Sequence, residues 1–172
     1  MTTADTALVE FCDRVLNTMT TADAATFAEV FHPDATNREG IDEPADCRGT
    51  GPEAFMATGR WLTTAFSELR WDVHDAVEAG DLVVAHVTMS GRQTGPFVAY
   101  DADALPETAF PPTGRRFAVF QTHWFRLVDG KVIEHWANRD DLGMGKQLGW
   151  TPPGPRYLAR MLLATRRAKA AA

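Results

Sequence analysis

The sequence is poor in the residues that cross-link secreted folds or bind metal ions. It contains two cysteines, Cys12 and Cys47, too few and too far apart to define a disulfide framework or a zinc site. Its five histidines form no His-x-His pattern, and no glycine-rich phosphate loop is present. We therefore expect reduced thiols in a cytoplasmic protein, with neither a metal site nor a phosphate-binding loop.

An excess of positive charge and a long apolar run are also missing. The net charge is −6, which gives no electrostatic support for binding nucleic acid. No apolar run approaches the roughly 20 residues that span a bilayer, and the N-terminus lacks the pattern of a signal peptide. The one basic stretch, residues 156–169, is interpreted as the solvated face of a helical tail. We expect neither a nucleic-acid partner nor membrane insertion.

What remains has the composition and order of a single folded domain. Hydrophobic residues make up 45% and charged residues 23% of the 172 residues, as in ordinary globular proteins. Apolar side chains recur at helical spacing in segments 5–17, 22–31 and 52–69. Segment 34–51 is polar and is interpreted as a loop with room for one short strand. Helices followed by an antiparallel sheet predict an α+β domain.

Two hairpins are predicted from tight turns between strand-like runs. Asp129-Gly130 separates runs 116–128 and 131–139, and this dipeptide is the strongest short-range hairpin signal. Gly80-Asp81 separates runs 70–79 and 82–90, which places Asp75 opposite His86. Side chains alternate across a strand, so the register decides which residues share a face.

The Asp129-Gly130 turn predicts a pocket on one face of its hairpin. Counting from Val128 opposite Lys131, the predicted pairs are Phe125–Glu134, His123–Trp136, Gln121–Asn138 and Val119–Asp140. A polar cluster around a tryptophan is typical of a half-buried pocket, and Asp140 would lie at its edge. His135 and Arg139 would then lie on the opposite face, as structural or interfacial residues.

These same residues carry a resemblance to a known family. The string DGKVIEHW at 129–136, then Asp140, then Leu142-Gly143-Met144 and Gln147-Leu148-Gly149, resembles the C-terminal signature of SnoaL-like polyketide cyclases, also called ester cyclases. Upstream matches are Gly51-Pro52-Glu53, Gly80-Asp81-Leu82-Val83, Gly95-Pro96-Phe97 and Pro112-Thr113-Gly114-Arg115-Arg116.

The resemblance implies a fold and an organisation of the chain. This family lies in the nuclear transport factor 2-like superfamily. We expect its cone: three N-terminal helices packed on a curved mixed or antiparallel sheet, with an extra C-terminal helix. The expected divisions are a SnoaL-like domain over residues 1–150 and a helical tail over residues 151–172. A homodimer is expected from the same resemblance.

The resemblance also implies a reaction. It is a cofactor-independent, acid/base-catalysed aldol ring closure on a polyketide or related small hydrophobic carbonyl substrate. Asp140 would be the general acid/base, because partial desolvation raises the pKa of a carboxyl group towards the working range of a proton shuttle. The competing interpretation makes Asp140 the N-cap of a helix over residues 142–148.

The other candidate site residues have roles in catalysis or substrate binding to which a purely structural role is the alternative. His123 would orient Asp140 or protonate a carbonyl group, or else bond within the core. Trp136 and Phe125 would form the substrate wall. The remaining candidates for substrate binding are the amides Gln121 and Asn138, which would otherwise pair with each other, and His32, which would otherwise be a solvated histidine at a helix end.

Departures from the family pattern leave two other functions open. Residues 99–110 form an insertion, either a lid or a tolerated loop. Gln93 replaces a histidine common in the family, which points to another substrate or protonation scheme. One alternative is an epoxide hydrolase or hydratase, which needs two carboxylates bridged by an arginine; Asp75 is the modest candidate for the second carboxylate. The other is a non-catalytic domain for ligand binding or assembly.

Overall fold

The computed structural model describes residues 6–21 and 23–171. Its helices are α1 (Thr6–Thr18), α2 (Ala24–Val30), α3 (Gly51–Ala65), α4 (Asp141–Leu148) and α5 (Pro155–Ala171). Its strands are β1 (Phe31–Asn37), β2 (Phe66–Ala79), β3 (Leu82–Gln93), β4 (Phe97–Tyr100), β5 (Pro106–Phe110), β6 (Arg116–Val128) and β7 (Lys131–Arg139). Two short 3-10 helices, Arg38–Asp42 and Ala45–Arg48, join β1 to α3.

The sheet confirms the predicted α+β cone. Five strands run in the order β1-β7-β6-β3-β2, with β1 parallel to β7 and the other neighbours antiparallel. The sheet is therefore mixed, and α1 and α3 pack against it while α2 joins them at one end. Asp75 pairs with His86, as the second hairpin predicts. The division at residue 150 stays a prediction.

Helix boundaries differ from the sequence prediction where strands take over. Asp23 caps α2, accepting a hydrogen bond from the Ala25 amide at 3.2 Å, and α2 ends one residue before Phe31. The helix predicted over 52–69 ends at Ala65, so its last turn was wrong. Phe66 already pairs with Gln93, because backbone pairing with β3 outweighs a weak helix propensity. Residue 22, the predicted start of the second helix, and Asp5 lie outside the described residues.

The hairpin of β6 and β7 contains a bulge that changes its register. Its bounds match the prediction, and Val128 pairs with Lys131 and Leu127 with Val132. The next pair is Arg126 with Glu134, so Ile133 is an extra residue in β7. One extra residue turns every later side chain to the other face of the sheet. The predicted register beyond the bulge was therefore wrong.

The insertion at 99–110 is ordered. Its residues form most of the hairpin of β4 and β5, which lies apart from the main sheet. Helix α5 packs along β5, where the Ala109 amide donates to Thr165 Oγ1 at 3.0 Å. Tyr157 donates its hydroxyl proton to the Pro111 carbonyl at 3.0 Å. Within the described ranges, no helix is long and apolar enough to cross a membrane.

Candidate active site

A cavity of about 590 Å³ lies between the concave face of the sheet, the helices α1 and α3, and the β4–β5 hairpin. That volume falls within the roughly 300–1,000 Å³ of small-molecule sites. The apolar and aromatic residues of its wall include Phe31, Phe55, Trp71, Phe97, Phe110 and Trp150. Such a wall suits a flat hydrophobic ligand, because aromatic rings offer large rigid surfaces.

A chain of polar side chains begins on β6 and crosses the cavity floor. Trp71 donates its indole N–H to Gln121 Oε1 at 3.2 Å. The same oxygen lies 2.9 Å from His123 Nε2. His123 Nδ1 in turn lies 2.9 Å from His135 Nε2 on the neighbouring strand β7. Two histidines are thus in direct contact, and the amide of Gln121 holds one end of the pair.

The chain continues from His135 into the segment between β1 and α3. His135 Nδ1 lies 2.9 Å from Asn37 Oδ1, and the Asn37 amide nitrogen donates to Glu43 Oε1 at 3.3 Å. Thr58 of α3 donates its hydroxyl to the other oxygen of Glu43. Glu43 is 3% exposed, so its carboxyl group is solvated by these two side chains rather than by water.

Burial controls the charge states of His123, His135 and Glu43. Desolvation lowers the pKa of His123 well below its usual value, and His135 and the Arg139 cation lower it further. Desolvation and Arg139 lower the pKa of His135 to about 3. Desolvation raises the pKa of Glu43, against the hydrogen bonds from Thr58 and Asn37. Both histidines are therefore neutral at pH 7, and neutral imidazole is a base.

An ion-pair cluster borders the cavity beside this chain. Arg139 Nη2 lies 3.5 Å from Glu39 Oε2, and Arg139 Nε lies 3.6 Å from Asp141 Oδ2. All three residues line the cavity, so the prediction that Arg139 faces away from it was wrong. These three residues, rather than Asp75, form the arginine between two carboxylates that the epoxide-opening alternative requires.

The predicted site residues divide between the two faces of the sheet. Gln121, His123 and Phe125 line the cavity. Trp136 lies on the outer face, stacked on Trp124 with ring centroids 5.9 Å apart. Asn138 shares that outer face, paired with Thr122. The bulge at Ile133 is the cause: it brings His135, Ala137 and Arg139 inward in place of Trp136 and Asn138.

His32 and Asp140 also lie outside the cavity lining. His32 Nδ1 accepts a hydrogen bond from the Asp34 amide at 3.1 Å, at the start of β1. Asp140 is exposed and caps α4, accepting from the Gly143 amide at 2.7 Å. The capping interpretation of Asp140 is thus the one the geometry shows. Its catalytic role stays a prediction, without the neighbours that the expected register placed beside it.

Gln93, the departure from the family pattern, is a structural residue. It is completely buried and lies outside the cavity lining. Its Oε1 accepts from Trp150 Nε1 at 3.1 Å and from the Thr113 amide at 3.2 Å, while its Nε2 donates to the Phe110 carbonyl at 3.0 Å. Because Trp150 and Phe110 line the cavity, Gln93 positions the wall without touching a ligand.

Three functional candidates were missed by sequence reasoning: His135, Asn37 and Glu43. His135 was assigned to the wrong face, since nothing in the run KVIEHW marks the bulge. Asn37 and Glu43 belong to the polar segment interpreted as a loop. Their only sequence signal is that a glutamate and an asparagine stand close together just before a helix, which is too common to single out a site.

The chain resembles known cyclases over most of its length. The family model described as SnoaL-like polyketide cyclase matches residues 6–148. An aklanonic acid methyl ester cyclase of Streptomyces peucetius is 33% identical over 148 residues, covering 86% of this chain and 94% of the relative. A nogalonic acid methyl ester cyclase of Streptomyces nogalater is 34% identical over 122 residues, covering 70% and 81%.

Solved structures agree on the fold. The structure of TsrD from Streptomyces laurentii superposes with a TM-score of 0.66 at 29% identity, covering 86% of this chain and 98% of TsrD. The family match spans all elements from α1 to α4, including the two strands that carry His123 and His135. The chain belongs to the SnoaL-like polyketide cyclase family.

Proposed function

We propose that this enzyme closes a carbocyclic ring of a flat polyketide ester by an intramolecular aldol reaction. The observation that carries the proposal is the apolar cavity with a buried, neutral histidine on its floor. Two relatives are named as cyclases of aklanonic acid methyl ester and of nogalonic acid methyl ester. Polyketide methyl esters are therefore the substrate class that we assign to this cavity.

The reaction needs one proton to move twice. A base removes a proton from a carbon next to a carbonyl group, and the electron pair of the C–H bond forms an enolate. The enolate carbon then bonds to a second carbonyl carbon of the same molecule, and the resulting alkoxide takes the proton back. No atom is gained or lost, so the product is an isomer of the substrate.

Residues of the cavity match these steps. His123 serves as the base, since burial keeps its imidazole neutral at pH 7. The amide of Gln121, which also lines the cavity, is a candidate donor to the developing enolate oxygen. The aromatic wall, Phe125 included, holds the two reacting carbons close together, which removes much of the entropic barrier.

The test is turnover of aklanonic acid methyl ester and nogalonic acid methyl ester, followed by chromatographic separation of the isomers. Wild type is expected to convert at least one ester. Ala137→Leu, which inserts a larger side chain into the cavity opposite His123, is expected to raise KM about tenfold or abolish turnover. Ala159→Leu is the control, because Ala159 of α5 is exposed and lies outside both the cavity lining and the outer face of the sheet. Failure of wild type to bind or convert either ester would refute the assignment.

The epoxide-opening and non-catalytic alternatives gain no support from the relatives, whose names describe cyclases.

The homodimer expected from the family remains part of this proposal. Its support is the outer face of the sheet, where Phe120 is 64% exposed beside His74 and His86. Phe120→Asp is expected to convert a dimer to a monomer in sedimentation analysis. A wild-type monomer would refute this part. The cytoplasmic location stays a prediction.

A further inference from the structure

The histidine pair is held between two hydrogen-bond acceptors, and the first is Gln121. The indole N–H of Trp71 can only donate, so the atom of Gln121 that it meets at 3.2 Å is the oxygen. The same oxygen lies 2.9 Å from His123 Nε2. A hydrogen bond forms there only if His123 Nε2 carries a proton.

The second acceptor is Asn37 at the other end of the pair. The backbone amide of Glu39 donates to Asn37 Oδ1 at 3.2 Å, which identifies that atom as the oxygen. His135 Nδ1 lies 2.9 Å from it. A hydrogen bond forms there only if His135 Nδ1 carries a proton. Reversing Gln121 would turn its NH2 group against the indole N–H of Trp71, and reversing Asn37 would turn its NH2 group against the backbone amide of Glu39.

The contacts of the histidine pair need one proton more than two neutral rings carry. Three contacts need a proton each: Gln121 to His123, His123 to His135, and His135 to Asn37. Two neutral imidazole rings bring only two N–H groups. With two protons, one of the three contacts faces lone pair to lone pair. With a third proton, all three become hydrogen bonds, and the two rings share one positive charge.

We propose that His123 and His135 act as one base, whose third and shared proton comes from the substrate carbon and returns to the product oxygen. This deepens the proposed function and rests on it. The C–H electron pair stays with the substrate as the enolate, and the proton forms the missing N–H bond of the pair. The same N–H bond breaks when the proton passes to the alkoxide, so protons and charge balance. His123 is the catalytic residue, and His135 is the residue that shares its proton.

The surroundings keep the third proton off the pair at rest. Burial and the Arg139 cation lower the pKa of both rings, while Glu39 pairs with Arg139 and reduces its field. The buried Glu43 reaches the pair only through the amide of Asn37. On the aromatic side, Phe125 stacks on His135 with centroids 5.4 Å apart. A negative enolate in the cavity supplies the opposite charge that the protonated pair lacks.

Gln121, His123, His135 and Asn37 all line the cavity, so the lining does not distinguish the two ends of the pair. The hydrogen bonds favour substrate access at the Gln121 end, where Gln121 Oε1 already has a second donor in Trp71. When a substrate group displaces Gln121 from His123 Nε2, that oxygen therefore keeps one hydrogen bond. At the Asn37 end, the pair meets a side chain anchored on both sides by Glu39 and Glu43.

The direct test is a pH titration of protein labelled with ¹⁵N in its histidines, without substrate. Long-range ¹H–¹⁵N spectra report which ring nitrogens carry protons. Both rings are expected to change at one shared midpoint below pH 6.5, with a total uptake of one proton. Separate, independent midpoints for the two rings would overturn the proposal.

A substitution at the acceptor end sharpens this test. Gln121→Glu places a carboxylate against His123 Nε2 and is expected to raise the shared midpoint by about 1–3 pH units. Gln147→Glu is the matched control, since Gln147 is exposed and, among the described residues, its side chain bonds only to the backbone of Ala118. An unmoved midpoint in Gln121→Glu, or no titration in either protein before acid unfolding, would overturn the proposal.

The pH dependence of turnover connects the pair to the reaction. The kcat of wild type is expected to fall as pH drops through the shared midpoint, because the pair must be free to accept a proton. In Gln121→Glu that fall moves to higher pH with the spectroscopic midpoint. Unchanged pH profiles would overturn the catalytic assignment. If neither ester is converted, the proposed function fails, while the titration still decides the three-proton pair.

Discussion

Replacing Gln93 by leucine is the sharpest test of how the cavity wall is held. Gln93 is completely buried, and its amide accepts from Trp150 and Thr113 and donates to Phe110. Leucine has a similar volume but offers neither donor nor acceptor. It would leave an indole N–H, a backbone N–H and a carbonyl oxygen without these partners in the protein interior.

The expected loss follows from those three groups. Each buried polar group without a partner costs about 1–3 kcal/mol. Thr113 is half-buried and regains water, so the other two groups set an expected total loss of about 2–6 kcal/mol in the free energy of unfolding. For a chain of this size, that lowers Tm by roughly 4–24 °C. Since Trp150 and Phe110 line the cavity, kcat/KM should fall as well.

The assay is urea unfolding followed by tryptophan fluorescence, with Gln147→Leu as the control. Gln147 also makes two hydrogen bonds to backbone groups, both to Ala118 at 2.9 Å. Gln147 is exposed, so water replaces its amide and the loss should stay below about 1 kcal/mol. If the two variants lose the same amount of stability, burial does not increase the contribution of the Gln93 hydrogen bonds to the free energy of unfolding, and the reasoning fails.

Two further predictions concern carboxyl groups. Asp140→Ala should lower the free energy of unfolding by about 1 kcal/mol through loss of the α4 cap, whereas Asp140→Asn should keep the cap. A large fall in kcat of Asp140→Asn at unchanged Tm would support the acid/base role inferred from the sequence. Burial raises the pKa of Glu43, so wild type should lose stability relative to Glu43→Gln as pH rises from about 4 through that raised pKa. A stability difference independent of pH, measured by urea unfolding, would contradict this.

Local chemistry made the hairpins and caps predictable. Gly130 and Gly80 have positive φ angles of 74° and 66° at the two turns that the sequence marks. Asp23 caps α2 because its side-chain oxygen lies within reach of a free amide at the start of the helix. These features depend on a few neighbouring residues, so they can be predicted from the local sequence.

The bulge at Ile133 coincides with irregular pairing to β1, a strand that lies far away in the chain. β7 is flanked by β6 on one side and by the parallel strand β1 on the other. The β1–β7 pairing is irregular at the same place, passing from Val132 to Glu134 as β1 passes from Phe31 to Thr36. Hydrophobic alternation describes one strand at a time and therefore contains no information about the pairing of β7 with β1. For that reason Trp136 and Asn138 were assigned to the cavity, and His135 and Arg139 to the opposite face.

The bulge also determines which side chains of β7 face the cavity. Its inward residues after Ile133 are His135, Ala137 and Arg139, and its outward residues are Glu134, Trp136 and Asn138. Deleting Ile133 would exchange the two sets, replacing a proton-sharing histidine with a tryptophan and moving Arg139 outside. A single-codon deletion would thus change which side chains line the cavity without substituting any residue.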